Sequence, residues 1–518
     1  MNFINKKSTI GYIHYCIWIL LLFSCAIECI CYPQKENLLG CLCFVYGYFL
    51  VSKFVATLDN IRSFPLATMG VSFYGFCYFF LPLPITLLEN KPLTFQFQVP
   101  ELTFYNQFLS ITVVVVAYKI ATSLLYRRNN LLNRFWRIIG YFYSPSEKMI
   151  WILAFLGLFA MIFNMLTFRE RVENLSESGN SMNIIFNVLS SLSICPLCLY
   201  FKSMYGDKKP PITKKYVKYF ILIIMALGIA STRRALIFNA LTSIGLLYIY
   251  RLLYLNKKVF TAKITILFVL GGYLVTGPLA DLATAMILNR QLQYRASSGQ
   301  VLSSIWNLYE DKEMLHNAYQ AYLAISDNGG DNSYSWSEYY VDNIFLDRFC
   351  NIRVLDATLY NAEVAGISNR RGQEYYKEFW INELPSFVTS SFGLKKTIHG
   401  TIVDEMVISN FGEKKYGRGY KVGGETGIGL YIFGYWYYIV AFLTYIVFFY
   451  VLSSFTIARY PFLLMPLPVM TNFIKYCFCF LNANGIFTIM EFFTRTNLNS
   501  IIIYAVVMFS LRIVIGKK

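Results

Sequence analysis

Glu425 opens an apolar run in the string Gly423-Gly424-Glu425-Thr426-Gly427-Ile428-Gly429. A carboxylate just inside the edge of a bilayer is costly to place there, and the small residues that follow it let helices approach closely, so it points to a specific role. Two readings stand: a base that orients or deprotonates an acceptor hydroxyl, or the ion-pair partner of Arg233 or Arg234. Those two arginines sit in Ser231-Thr232-Arg233-Arg234, between two apolar runs with almost no loop. A turn that tight holds both guanidinium groups near the bilayer edge, where charge is costly unless partnered. Their planar donors suit a diphosphate, two oxygens at a time. The plainer reading is a pair of interface anchors. Arg290, beside Arg295, follows one to two turns past the end of an apolar run and could still face a cavity at the membrane edge. Arg348, Arg353, Arg370, Arg371 and Arg418 are further cations, each with a solvated face as its ordinary reading. Arg348 stands beside Asp347, and Arg353 near Asp356, at spacings that also suit structural ion pairs. His399, in Lys395–Gly400, has the residue type to take a proton near neutral pH; His14 and His316 carry less.

Other chemistry is missing from the sequence. It has no Asp-x-Asp of the kind that holds a metal-bound nucleotide, no phosphate-cradling glycine loop and no paired metal ligands, so no cofactor is implied. Of twelve cysteines, eleven lie in or beside apolar runs and only Cys350 does not, which rules out an internal disulfide frame in the polar part. Cys195 and Cys198 have redox or zinc-like spacing but no second pair, and read as packing.

The elements that must position these residues follow from composition. With 56% hydrophobic residues in 518, the chain carries more apolar area than a globular surface can hide. The fold class is an all-α polytopic membrane protein. Apolar runs fall near 10–30, 38–57, 65–88, 107–126, 149–167, 183–201, 216–231, 235–255, 264–283, 426–455, 461–481 and 498–515, about twelve transmembrane helices. Residues 1–283 hold the first nine and 425–518 the last three. Between them, 284–424 contains no spanning segment and forms one large external loop, with amphipathic helices expected over 301–325 and 373–388. That loop holds 16 acidic and 14 basic residues, so the basic balance of the chain, +17 overall, lies entirely outside it.

Lys and Arg collect in alternate short connections, at Arg62, at Arg127–Lys148, at Lys202–Lys218, at Arg251–Lys263, and at Arg459 with the C-terminal lysines. The positive-inside rule puts these in the cytoplasm, with both termini, and puts the long loop outside. Basic residues set between apolar spans report topology and anionic lipid rather than nucleic acid. The bilayer is the first partner.

This topology resembles that of Wzy-type bacterial O-antigen and exopolysaccharide polymerases and, more distantly, O-antigen ligases. Local support comes from Thr276-Gly277-Pro278-Leu279-Ala280-Asp281-Leu282 entering the loop, and from Gly424-Glu425 with Tyr431-Ile432-Phe433-Gly434 leaving it. Ser231–Arg234 is similar to the Ser-x-Arg turn of such enzymes. Their loop Pro-Arg has no counterpart here, where Leu384-Pro385-Ser386 stands. The resemblance implies a GT-C-like, metal-independent glycosyltransferase in the bacterial inner membrane, with its active site on the periplasmic side. Its substrate would be an undecaprenyl pyrophosphate-linked oligosaccharide, and a chain-length regulator protein is the partner such a reaction admits. Arg233, Arg234, Arg290 and Arg348 would bind the diphosphate, and His399 or Glu425 would activate the acceptor hydroxyl. A ligase acting on lipid A core and a lipid-linked oligosaccharide flippase are the alternatives.

Overall fold

The computed structural model describes residues 8–127, 130–171, 181–204, 214–230, 234–257, 262–289, 298–327, 340–384, 386–396, 400–411, 422–480, 489, 492 and 497–515. Nearly all of this is helix. The first half comprises α1 (Thr9–Cys31), α2 (Lys35–Leu50), α3 (Leu58–Ser63), α4 (Pro65–Phe79), α5 (Pro82–Leu88), α6 (Pro100–Arg127), α7 (Leu131–Ile138), α8 (Glu147–Arg171), α9 (Ser181–Ser191), α10 (Lys214–Ala230) and α11 (Arg234–Tyr254). Next come α12 (Ala262–Thr276), α13 (Pro278–Leu288), α14 (Ser298–Glu310), α15 (Lys312–Asp327), α16 (Ile344–Asp347), α17 (Ile352–Ala365), α18 (Arg370–Glu383), α19 (Ser386–Ser391) and α20 (Ile402–Phe411). The last are α21 (Glu425–Phe433), α22 (Tyr437–Leu452), α23 (Leu467–Thr471), α24 (Phe473–Cys477) and α25 (Leu498–Ile515).

Among the described residues, seven segments are long and apolar enough to cross a membrane: Thr9–Cys31, Lys35–Val55, Pro65–Leu88, Pro100–Tyr126, Val269–Leu288, Glu425–Phe455 and Leu498–Ile515. They coincide with the expected spans one to four, nine, ten and twelve. The expected runs at 149–167, 216–231 and 235–255 also fall on helices, α8, α10 and α11. The run at 461–481 does not form one helix. Ile457–Arg459 and Phe462–Leu464 pair as an antiparallel hairpin, and α23 and α24 follow as two short helices parted at Asn472. Pro461, Pro466 and Pro468 account for the break, since each lacks an N–H and fixes φ. The expected loop helix over 301–325 is two helices, α14 and α15, parted at Asp311. The second is α18, which ends at its C-cap Leu384, and α19.

Side-chain bonds gather the short basic connections at one end. Arg62 Nε donates to Tyr254 O at 3.1 Å, and its guanidinium stacks 3.8 Å from the Tyr460 ring. Tyr254 Oη reaches Phe462 O, Trp136 Nε1 reaches Ser454 Oγ, Asn130 Nδ2 reaches Tyr450 O, and Thr9 Oγ1 reaches Lys257 O. Connections far apart in sequence therefore share a face. His14 is a satisfied core histidine, 2.7 Å from Tyr48 Oη and 2.9 Å from Ala56 O.

At the other end the connection 89–99 receives residues 340–356. Glu28 Oε1 accepts from Leu93 N at 2.8 Å, Asn37 Oδ1 accepts from Thr94 N, and Tyr340 Oη donates to Leu93 O at 2.6 Å. Asp342 N meets the Glu89 carboxylate, and Lys91 bridges both acids. The core between the two ends is largely aromatic, with Phe448, Phe449, Phe480, Phe492 and Tyr476 in mostly edge and tilted contact.

Candidate functional site

The site grows from the helix that Glu425 begins. Thr426 to Ile432 are all buried, so α21 is an internal helix surrounded by protein. Its glycines explain how. A Cβ on Gly427 would lie 2.9 Å from Leu359 N, and one on Gly424 would lie 2.6 Å from Leu355 Cα, so α17 rests directly on the α21 backbone. Gly424 N donates to Thr358 Oγ1 at 2.7 Å and Ser110 Oγ lies 2.7 Å from Thr426 Oγ1, fixing α21 to α17 on one side and α6 on the other. The carbonyls at its far end, which a helix leaves unpaired, are taken by the turn before α18. Ser368 N bonds Leu430 O at 3.0 Å and Asn369 N bonds Tyr431 O at 2.7 Å.

The apolar run 425–455 is not one rod. Gly434 has φ +60, a conformation that side chains rarely adopt, and a 3-10 turn over Gly434–Trp436 separates α21 from α22. In a straight helix Tyr437 would stand about 18 Å along the axis from Glu425. Instead its hydroxyl donates to Glu425 Oε1 at 3.1 Å, and Tyr445 donates to the same oxygen. Those two tyrosines are two turns apart on α22, so Glu425 faces the interval between them and the chain doubles back at Gly434. Glu425 is half-buried, and among the described residues Oε2 has no hydrogen-bond partner. Its partners are phenols, with no ion pair to a described cation.

α17 carries the second anchor. Asp356, fully buried, accepts from Gln98 N at 2.7 Å, Val99 N at 3.0 Å and Thr103 Oγ1 at 3.0 Å, and pairs with Arg353 Nη1 at 2.9 Å. The carboxylate takes the two N–H groups just ahead of α6 and the Thr103 hydroxyl in its first turn, and so meets the positive dipole end of that helix. Burial pushes the Asp356 carboxyl up, and Arg353 and the three donors pull it back only in part. Above α21, Arg371 Nε and Nη2 both reach Glu405 Oε2, at 3.1 and 2.7 Å, and this carboxylate holds the guanidinium above its ordinary range.

The sequence candidates fall as follows. Glu425 is placed as described. Arg348 is exposed on the turn after α16, with no ion pair to a described residue and no contact tying it to Glu425. Arg353 and Asp356 form the expected structural pair. Arg234 begins α11, with its side chain outside the described residues; Arg233, Arg290 and His399 lie outside them too. Sequence reasoning did not pick out Tyr437, Tyr445 or Asp356 as parts of the site. The tyrosines were hidden by an aromatic content of 18%, and Asp356 by the roughly 250 residues that separate it from the N–H groups it accepts from.

Fold and site together define a predominantly helical membrane protein in which the shorter helices α17 and α18 pack against the apolar helices α6 and α21, beside a half-buried carboxylate. Compared with protein-family models, curated proteins and solved structures, the chain finds no match.

Proposed function

We propose that the chain is a polysaccharide polymerase of the bacterial inner membrane, moving a glycan from an undecaprenyl pyrophosphate carrier to the end sugar of another lipid-linked repeat unit. The observation that carries the reading is Glu425. It sits where α17 and α21 are joined to the apolar helices α6 and α22, with Oε1 held by two tyrosines and no described partner on Oε2. A substrate with a lipid tail and a polar glycan needs its reacting atoms at such a boundary. In the transfer, the bond from the anomeric carbon to the diphosphate oxygen breaks and the electron pair leaves with the diphosphate. The acceptor hydroxyl oxygen bonds the anomeric carbon and its proton passes to Glu425 or His399. Arg233, Arg234, Arg290 and Arg348 are assigned to the charge that grows on the leaving diphosphate.

The test is a gel of surface and lipid-linked glycans from cells lacking the gene. Loss of the ladder, with single repeat units still reaching the surface, is the expected result. Long chains left on the undecaprenyl carrier would instead identify a ligase acting on lipid A core. Single units trapped on the cytoplasmic side would identify a flippase.

A further inference from the structure

At the basic end, remote from Glu425, a cleft of about 790 Å³ opens between α7, the end of α6 and the stretch Ser453–Arg459. Arg134, Arg137 and Arg459 all line it, all three are exposed, and among the described residues no carboxylate lines it or pairs with them. Three like charges converging on one cavity repel one another unless an anion occupies it. Asn133 adds a polar side chain to the wall.

The helix that carries two of the arginines says which kind of anion. At 100° per residue, Leu131, Phe135 and Ile138 form one stripe of α7, and they are 77%, 52% and 77% exposed. Leu132 and Trp136 form a second stripe, with Trp136 buried and bonded to Ser454 Oγ at 2.8 Å. Arg134 and Arg137 lie on the third side, next to the exposed apolar stripe. A short helix held by one face, with an open apolar face bordered by arginines, is built to lie in the plane of a membrane surface. A soluble anion would have no use for that apolar stripe.

We propose that this cleft binds the phosphate of an anionic phospholipid, with Arg134, Arg137 and Arg459 on the headgroup and the Leu131–Phe135–Ile138 stripe against its acyl chains. The test is native mass spectrometry of the full chain in mild detergent, titrated with phosphatidylglycerol and with phosphatidylethanolamine of the same acyl chains. Preferential retention of phosphatidylglycerol is expected, falling about fivefold for each arginine changed to glutamine and on the order of a hundredfold for all three. The triple lysine variant should keep part of the preference, and Lys53→Gln, in the turn Val51–Val55 that leads into α3 and outside the cleft lining, should keep all of it. Leu131→Ser with Ile138→Ser, which leaves every charge in place, should weaken retention as well. Equal retention of the two lipids by the native chain, an unchanged preference in the triple glutamine variant, or an equal loss in Lys53→Gln would overturn the proposal. Displacement of phosphatidylglycerol by millimolar inorganic phosphate would overturn the lipid assignment in favour of a soluble anion.

Discussion

Asp356→Ala is the most informative single change outside the proposed chemistry. It removes the carboxylate bonded to the start of α6 and leaves Arg353, itself only 3% exposed, without its ion-pair partner. Breaking one side of a buried pair costs about 3–5 kcal/mol, and losing the hydrogen bonds at the start of α6 accounts for about 1 kcal/mol of that. At about 4 kcal/mol the folded to unfolded ratio changes on the order of a thousandfold. The assay is reversible unfolding of the purified chain in mixed micelles with a rising fraction of denaturing detergent, followed in parallel by protease cleavage within 340–411. Cleavage there should rise with the loss of stability, because α17 is what fastens this segment to α6. The companion variant, Arg353→Met with Asp356→Leu, deletes both charges. The double variant removes the stranded charge and should recover the part of the lost stability that the charge carries, while Gln98 N, Val99 N and Thr103 Oγ1 still lack their acceptor. A loss below about 1 kcal/mol in Asp356→Ala, or a double variant as unstable as the single one, would refute the anchoring argument.

Further expectations concern the glycine contact, the carboxylate, the arginines and the orientation. Gly427→Val drives a branched side chain into the Leu359 backbone and should destabilise by about 1–3 kcal/mol in the same unfolding assay, whereas Gly245→Ala, with open space around its Cα, should not. Glu425→Gln keeps the volume and an oxygen for Tyr437 and Tyr445, so the chain should still fold while the polymerisation rate falls by about two orders of magnitude; a normal ladder would remove Glu425 from the reaction. Arg290→Lys keeps the charge but not the fork, and should insert normally while losing most polymerisation; near-normal chain length would take Arg290 out of the scheme. Alkaline phosphatase fused after Leu394 should be active and after Ile457 inactive, and the reverse would invert the topology.

Seven of the expected spans were legible because each is a long apolar run with its charges swept to the ends. The close approach at α21 was legible too, in the run of glycines after Gly423. What local pattern did not carry was direction. Gly434 sits inside an unbroken apolar stretch, so the reversal there looks like continuity, and the pairing of Glu425 with Tyr437 and Tyr445 depends on that reversal. The hairpin over Ile457–Leu464 had a signal, three prolines within eight residues, outweighed by hydrophobicity. Asp356 illustrates the remaining limit: its ion pair is three residues away and was foreseen, while its bonding to the start of α6 is a long-range event that no window of sequence contains.

The doubling back at Gly434 also decides where this chain can be cut and joined. Because α21 is enclosed by α17, α18 and α22, no boundary placed at residue 424 separates an outer module from a membrane module. A chimera that exchanges 284–424 alone would bring in a foreign α17 against the native Gly424 and Gly427, and a foreign turn against the carbonyls of Leu430 and Tyr431. The smallest piece that travels with its own contacts runs from about residue 340 to the end of α22, with the connection 89–99 and the whole of α6 as its socket. Specificity swaps between homologues should be drawn along those lines.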